Sequence, residues 1–369
     1  MKLQLKNTPE QVELIKAMGS KNQLEAREAQ EAFAAFLGPV IQQVINQAGT
    51  AGAVYTDAPF DEDDSPSYPL DLYYNDKQNH ISVWSQSMAG GLPSSHVAGA
   101  AELKIATYRL DSAVNMLRKY ARRARLDVVS KSVERMSQEV LVKQERNAWA
   151  VVLKALQEAS TTVGGAATDH VIDSAATGGV FQMEDMNKLM THVRRLNESF
   201  AGGTPDNAYS QGLTDLYMSP EMMEQVRGFA YQPMNTRAAM GQSAAAENSN
   251  GIALPDSVRE DIFRSAGASE IYGVALNELL ELGNGKKYVT LYNELGTNDV
   301  GHDLIIGLDN SKGAFIRPVA VQAESGGTFT ALADDQWSQR SEKLGFYGFL
   351  EEGRVCIDSR AIVGLNVQS

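Results

Sequence analysis

A stretch with helical periodicity runs from Asp127 to Glu158 without glycine or proline, and it constrains the fold more than any other feature. Its apolar residues recur at steps of three and four on one face: Val129, Val133, Met136, Val140, Ala148, Val152 and Leu156. Such a helix is roughly 45–50 Å long at 1.5 Å per residue. A compact chain of this size has a radius of gyration of about 21 Å. The sequence therefore predicts a flat or elongated subunit built around one long helix.

Composition limits the classes of function. The chain has 369 residues, of which 43% are hydrophobic, so it can bury a large core in two ordinary domains or in one domain with long insertions. Acidic residues outnumber basic ones 46 to 33, and the net charge of −13 disfavours a general nucleic-acid binder. The single cysteine, Cys356, excludes an internal disulfide and a cysteine-based metal cluster. We interpret Cys356 as a buried, unreactive thiol in a strand over 354–357.

The N-terminal half alternates helical and extended patterns. A helix is predicted over 22–37, with Leu24, Ala29, Phe33 and Phe36 on one side and Pro39 interrupting it. Residues 57–71 are acidic and proline-rich, which indicates an extended segment unable to pack alone. Strands over 81–86 and 103–110 flank a Gly/Ala/Ser-rich tip at 87–101, the pattern of a long hairpin arm. A short helix is predicted over 112–125.

The remainder indicates an α+β fold rather than repeated βαβ units. We expect a flexible linker over 160–179, a helix over 183–197, and a strand over 213–218 followed by a helix that starts at Pro220. A loop is expected over 235–254. Further strands are predicted over 271–282, 287–291, 304–307, 314–321, 344–350, 354–357 and 361–367.

Motifs for catalysis or metal binding are weak. The five histidines (His80, His96, His170, His192 and His302) are far apart and lack i, i+4 spacing, so we interpret them as structural. The segment from Asp61 to Pro66 has proline where a calcium loop needs glycine. The glycines at 283 and 285 fit a tight hairpin turn rather than a dinucleotide loop, and no nucleophile elbow is present. The sequence therefore predicts no catalytic, cofactor-binding or metal site.

Two charged runs have opposite signs. The basic run contains Arg118, Lys119, Arg122, Arg123 and Arg125, and the acidic run contains Asp61, Glu62, Asp63 and Asp64. One interpretation is a pair of solvated surfaces. The other is an intersubunit contact, in which the basic run of one copy binds the acidic run of another. The sequence leaves both open.

The order of these parts resembles the major capsid proteins of tailed bacteriophages, whose fold is shared with encapsulins. The passages that carry the resemblance are residues 120–127 at the entry to the long helix, then 305–309, 345–349 and 354–355. The likeness covers nearly the whole chain in architecture. It implies an N-terminal arm (1–80), an extended hairpin loop (81–111), a peripheral domain with a spine helix (112–182), an axial domain (about 183–300), and C-terminal strands (301–369) that return to the peripheral and axial sheets.

The same resemblance implies function and partners. We expect a non-catalytic protein that assembles into pentamers and hexamers of an icosahedral head shell around viral double-stranded DNA. Implied partners are copies of itself, scaffolding, portal and decoration proteins, and packaged DNA contacted without sequence specificity. No secretory signal or membrane span is expected, and the implied location is the virion capsid after assembly in the host cytoplasm.

Two alternatives remain. An encapsulin-like compartment shell shares the fold and encloses protein cargo instead of DNA. A soluble enzyme could bring carboxylates together only in the folded state, for example Asp334, Asp335 or Glu351. An enzyme predicts a deep pocket that holds a perturbed carboxylate or histidine, whereas a coat subunit predicts large interfaces.

Overall fold

The computed structural model describes residues 8–47, 49–61, 64–69, 102–123, 126–163, 166–176, 178–197, 212–228, 260, 270–296, 300–321, 327–334 and 342–368. The chain divides into two compact units. The described parts of unit 1 lie within 8–69, 102–149 and 315–355. Those of unit 2 lie within 150–314 and 356–368.

The helices and strands follow the chain in this order: α1 (Pro9–Met18), α2 (Gln23–Gln47), β1 (Thr56–Asp61), β2 (Ser67–Pro69), β3 (Glu102–Lys104), β4 (Tyr108–Leu117), α3 (Arg118–Arg122), α4 (Leu126–Glu158), β5 (Ser160–Val163), β6 (Ala166–Asp169), β7 (Val171–Asp173), α5 (Met183–Asn197), β8 (Asp215–Met218), α6 (Pro220–Gly228), β9 (Glu270–Ile271), β10 (Val274–Glu278), α7 (Lys287–Leu295), β11 (Asp303–Leu308), β12 (Phe315–Val321), β13 (Thr330–Asp334), β14 (Lys343–Glu352), β15 (Val355–Cys356) and β16 (Ile362–Val367).

Unit 1 is organised around strand β14. On one side β14 pairs antiparallel with β4 along its whole length, from Lys343↔Leu117 to Glu352↔Tyr108. On the other side it pairs with β13 and, at its end, with β12, which in turn pairs parallel with β1. Apolar side chains of α1, α2, α3 and α4 form one core with this sheet. Phe346 lies in that core, with its ring centroid 5.3 Å from that of Phe33.

Helix α4 confirms the predicted long helix. It begins one residue before Asp127 and ends at Glu158. The apolar face is buried along its length, because every position of the predicted stripe is at most 5% exposed: Val129, Val133, Met136, Val140, Ala148, Val152 and Leu156. Its residues up to Trp149 belong to unit 1 and the rest to unit 2.

Unit 2 contains a six-stranded mixed sheet in the order β7–β16–β11–β8–β10–β9. Helices α5 and α6 share an apolar core with this sheet. The predicted helix over 183–197 is confirmed, as is the helix start at Pro220. Ser219 caps α6, since its hydroxyl accepts a hydrogen bond from the backbone N–H of Met222 at 3.2 Å.

The predicted helix over 112–125 is wrong. Residues 112–117 belong to β4, and among the described residues of this range only Arg118–Arg122 are helical. The side chains from Tyr108 to Leu117 alternate between less and more exposed positions, as expected for a strand with one face toward a core. Pairing with β14 therefore outweighs the helix propensity of Met116 and Leu117.

Two predictions about prolines also need correction. Pro39 lies inside a continuous α2 instead of interrupting it. The core contacts of Phe33, Leu37 and Ile41 on both sides of the proline hold the helix together, whereas Phe36 is 47% exposed and faces away. Leu24 of the predicted face is also exposed.

The first part of the acidic segment does pack on its own chain. Thr56–Asp61 forms edge strand β1 beside β12, with Pro59 opposite Val319. An edge strand tolerates a proline because one side of its backbone needs no partner. The prediction that this segment cannot pack alone is therefore wrong for these residues.

Two segments of unit 2 differ from the sequence prediction. The expected linker over 160–179 contains β5, β6 and β7, with β5 and β6 paired as a hairpin. The expected strand over 287–291 is helix α7, whose Tyr288, Val289 and Tyr292 are buried at helical spacing. The glycines at 283 and 285 therefore precede a helix and do not connect two strands.

Several predictions fall outside the described residues: the strand over 81–86, the tip at 87–101 and the loop over 235–254. The predicted strand over 103–110 is divided between β3 and β4. No helix in the described ranges combines the length and apolar character needed to cross a membrane.

The unit 1 core gives a stability prediction. Replacing the fully buried Phe346 with alanine should lower the free energy of unfolding by about 3–5 kcal/mol, because a large cavity forms beside Phe33. Leu332 is a matched control on neighbouring β13, since it is 48% exposed, and its alanine variant should stay within about 0.5 kcal/mol of wild type. Denaturant unfolding measures both, and equal losses would contradict this packing.

Candidate functional site

Arg118, Lys119 and Arg122 of the basic run lie in α3, which contacts α1. The Arg122 Nε donates a hydrogen bond to the Gly19 carbonyl at 3.0 Å, and the Arg118 Nη2 donates to the Ser20 carbonyl. Both carbonyls directly follow α1, where a positive charge is favoured by the helix dipole. A Cβ on Gly19 would lie 2.7 Å from the Arg122 backbone nitrogen, so glycine permits this close approach. Two of the predicted interface arginines therefore hold α1 in their own chain.

Two other side chains of the basic run are exposed to solvent. Lys119 and Arg123 are exposed, and the Lys119 Nζ lies 5.4 Å from the centroid of the Tyr120 ring. Arg125 lies outside the described residues. Among the four basic residues that are described, none forms an ion pair with the acidic run or with any other carboxylate.

The acidic run follows β1. Asp61 is the last residue of that strand and is exposed, and Asp64 is also exposed and accepts a hydrogen bond from the Ser65 N–H at 2.8 Å. Glu62 and Asp63 lie outside the described residues. In a single chain the structure does not bring the described acidic and basic residues together, so a contact between copies stays a prediction.

The carboxylates of the enzyme alternative do not converge. Asp334 lies opposite Gly345, whereas Glu351 lies six residues further along β14. At about 3.4 Å per residue these positions are roughly 20 Å apart along the strand. Glu351 accepts a hydrogen bond from the Thr107 hydroxyl at 2.6 Å. Asp335 lies outside the described residues.

A buried charged cluster, which the sequence did not reveal, surrounds Glu352. This fully buried carboxylate accepts hydrogen bonds from Tyr108 Oη at 2.9 Å, Gln144 Nε2 at 3.0 Å and Arg317 Nε at 2.7 Å. The Arg354 Nη2 lies 3.4 Å from both carboxylate oxygens. Burial, reinforced by the charge of Glu352, raises the pKa of Tyr108 to about 12. The cluster ties α4, β4, β12 and β14 together.

A cavity of about 220 Å³ adjoins this cluster, lined in part by Asp57, Glu145, Arg317 and Arg354. Two carboxylates therefore face two guanidinium groups, and both arginines already bind Glu352. The Glu145 carboxylate accepts hydrogen bonds from the Ala51 N–H and the Thr50 hydroxyl, at 3.2 and 2.9 Å. Since Arg317 also pairs with Asp57 at 3.3 Å, the charged groups that line the cavity all have partners within the chain.

The described histidines have structural contacts. The Nδ1 of buried His170 donates to the Ile362 carbonyl at 2.8 Å, and the Nε2 of His192 donates to the Asp169 carbonyl at 2.9 Å. Burial lowers the pKa of both imidazoles. His302 Nδ1 lies 3.3 Å from the side-chain nitrogen of Asn284. His80 and His96 lie outside the described residues, and no group of metal-ligating side chains occurs in the rest.

One perturbed carboxylate has a structural explanation. Burial raises the pKa of Asp303, which accepts hydrogen bonds from the Ser219 hydroxyl and, at 2.7 Å, from the Leu304 N–H. Ser219 is the residue that caps α6. Asp303 therefore orients a helix cap.

The arginine contacts to α1 yield a prediction with a control in the same run. Arg122→Ala should speed hydrogen exchange of the α1 amides about fivefold, because the loss of one charged hydrogen bond costs about 1 kcal/mol at a partly exposed site. Arg123→Ala should leave these rates unchanged, since Arg123 is exposed. Equal exchange rates in Arg122→Ala and wild type would show that this contact does not hold α1.

The thiol yields a second prediction. Burial raises the pKa of Cys356 to about 12, so native protein at pH 8 should react with a thiol reagent about a thousandfold more slowly than denatured protein. The reaction rate, measured by absorbance with and without denaturant, tests this. A native rate equal to the denatured rate would contradict the interpretation of Cys356 as unreactive.

Comparison with known proteins identifies the fold. No protein-family model matches the chain, and no curated protein matches it. Solved structures do match. The capsid structure of cyanophage P-SCSP1u has a TM-score of 0.50 and 13% identity, with 87% of this chain and 89% of that chain covered. The capsid of a native GTA particle has a TM-score of 0.51 and 12% identity, with 87% and 91% covered.

In each comparison the similarity extends over most of this chain, including parts of both units, and over most of the matched capsid chain. The low identity supports a statement about architecture. The α+β assignment made from the sequence is confirmed, and the chain has the capsid fold that the resemblance implied.

Proposed function

We propose that this chain is a major capsid protein of the tailed-phage type. Copies assemble into pentamers and hexamers, and these form the icosahedral head shell that encloses viral double-stranded DNA. The observation that carries the proposal is the shared fold, which covers 87% of this chain and about nine-tenths of each capsid chain. The proposed role is structural and non-catalytic.

The geometry at the base of the predicted arm supports this role. Strand β2 pairs antiparallel with β3, with Pro69 opposite Glu102. The residues that flank the segment 70–101, Pro69 and Glu102, are therefore paired with each other in unit 1. A segment that leaves and returns at one point is suited to reach a neighbouring subunit, whose contacts offset the entropy lost when it becomes ordered.

The charged runs form a proposed contact between copies. With Arg118 and Arg122 engaged by α1, the described cations that remain are Lys119 and Arg123. The exposed Asp61 and Asp64 are the described part of the acidic partner surface. Exposed ion pairs stabilise weakly, about 0–1 kcal/mol each, so this contact sets the register between subunits more than it strengthens the shell.

The proposal extends to domains, partners and location. The proposed division remains an N-terminal arm (1–80), an extended loop (81–111), a peripheral domain with its spine helix (112–182), an axial domain (about 183–300) and C-terminal strands (301–369). Unit 1 contains the greater part of the spine helix. The net charge of −13 suits an inner wall that does not trap packaged DNA. Scaffolding, portal and decoration proteins are the proposed partners, and the virion capsid is the proposed location after assembly in the host cytoplasm.

Negative-stain electron microscopy of the purified full-length chain tests this proposal. We expect pentamers, hexamers or closed shells, either alone or with a scaffolding protein. Nuclease-protected DNA inside particles from infected cells supports a phage head, whereas protein cargo would point to an encapsulin-like compartment. A stable monomer at high concentration would contradict both kinds of shell.

A further inference from the structure

The sheet edges of the two units are protected to different degrees. In unit 1 the edge strand β1 has six residues and contains Pro59 between Asp57 and Asp61. Edge strand β13 has five residues, and in unit 2 edge strands β7 and β9 have three and two. Short strands, prolines and charges are the usual means of preventing edge-to-edge pairing.

Strand β4 differs from these edges. It has ten residues, contains no proline, and pairs with β14 along only one side. In the part of the chain that the structure describes, no strand pairs with its other side. Leu117, at its end, is 38% exposed. A long regular edge of this kind can accept a further strand through main-chain hydrogen bonds.

We propose that the free edge of β4 pairs antiparallel with β4 of a second copy, about a two-fold axis at Ala113. This interface deepens the proposed function and rests on it, since it names one surface through which copies of the chain associate. An icosahedral shell contains two-fold axes between neighbouring subunits, so a self-complementary contact has a place in it.

The side-chain pattern of β4 favours this register. On the more exposed face, pairing centred on Ala113 places Arg109 of one copy opposite Leu117 of the other, Asp111 opposite Asn115, and the two Ala113 residues opposite each other. No like charges meet, and the Asn115 amide can donate to the Asp111 carboxylate. Arg109 lies over the Phe349 ring at 3.9 Å and binds Asp111 at 2.8 Å, so its charge is already satisfied within the chain.

The less exposed face is equally complementary. Leu110 lies opposite Met116, and Ser112 lies opposite Val114. A shift by one residue would place exposed positions opposite buried ones, because side chains alternate with a period of two. A shift that centres the pair on Asp111 would place two carboxylates opposite each other. A centre at Asp111 is therefore disfavoured, whereas a centre at Ala113 keeps the two faces matched and brings no like charges together.

Cysteine cross-linking of the full-length chain tests the register. In a Cys356→Ala background, Ala113→Cys should form a disulfide-linked dimer under mild oxidation, because facing Cα atoms lie about 4.5–5.5 Å apart. Asn115→Cys is the matched control on the same face. Its two copies would be about 13 Å apart, too far for a disulfide, so this variant should remain monomeric on a non-reducing gel.

Charge substitution at the centre tests the same contact without cross-linking. Ala113→Lys and Ala113→Asp should each weaken self-association about tenfold, since like charges meet at the axis. An equimolar mixture should restore association, because lysine then faces aspartate. Ala113 is exposed, so both variants should keep the wild-type circular dichroism spectrum. Sedimentation velocity measures the association.

The outcomes separate this inference from the proposed function. Shells that form from Ala113→Cys without any cross-link would overturn the β4 interface and leave the capsid role standing. Equal cross-linking of Ala113→Cys and Asn115→Cys would also overturn the register. A cross-linked dimer with no larger assembly would support the interface and contradict the capsid role.

Discussion

Burial of the apolar face of α4 is the constraint on which the rest of the structure depends. In unit 1, Val129, Val133, Met136 and Val140 share a core with α2 and with the inner face of β14. Beyond Trp149, where α4 belongs to unit 2, Val152 and Leu156 of the same face are also buried. This face is therefore buried along the whole helix, over about 50 Å.

The sequence predicted the elements whose signal is local. Helices α4 and α5 were placed to within one residue, because their apolar residues repeat with helical spacing and their ends carry recognisable boundaries. The fold class followed from the order of such elements. By contrast, residues 112–117 of β4 were predicted as helix, because their strand conformation depends on β14, whose residues lie more than two hundred positions away. The continuity of α2 through Pro39 likewise depends on core contacts that no local pattern reveals.

In the candidate interface, too, contacts between residues distant in sequence could not be predicted from local patterns. Charge alone marked Arg118 and Arg122 as surface residues, but the carbonyl oxygens that they bind belong to the end of α1, a helix absent from the sequence prediction. The Glu352 cluster joins residues from four elements and has no local signal at all. Leu110, Ser112, Val114 and Met116 occupy every second position of the sequence, and this period of two could have identified β4 as a strand.

Each unit has its own apolar core, and we propose that surfaces outside these cores bind other copies of the chain. The described histidines have contacts within the chain, whereas in the described ranges one side of β4 pairs with no strand and Lys119, Arg123, Asp61 and Asp64 form no ion pair. Sedimentation velocity of the full-length chain over a concentration series tests this account most directly. The account predicts a shift from single chains to assemblies of five or more as concentration rises, and a single monomeric species at every concentration would contradict it.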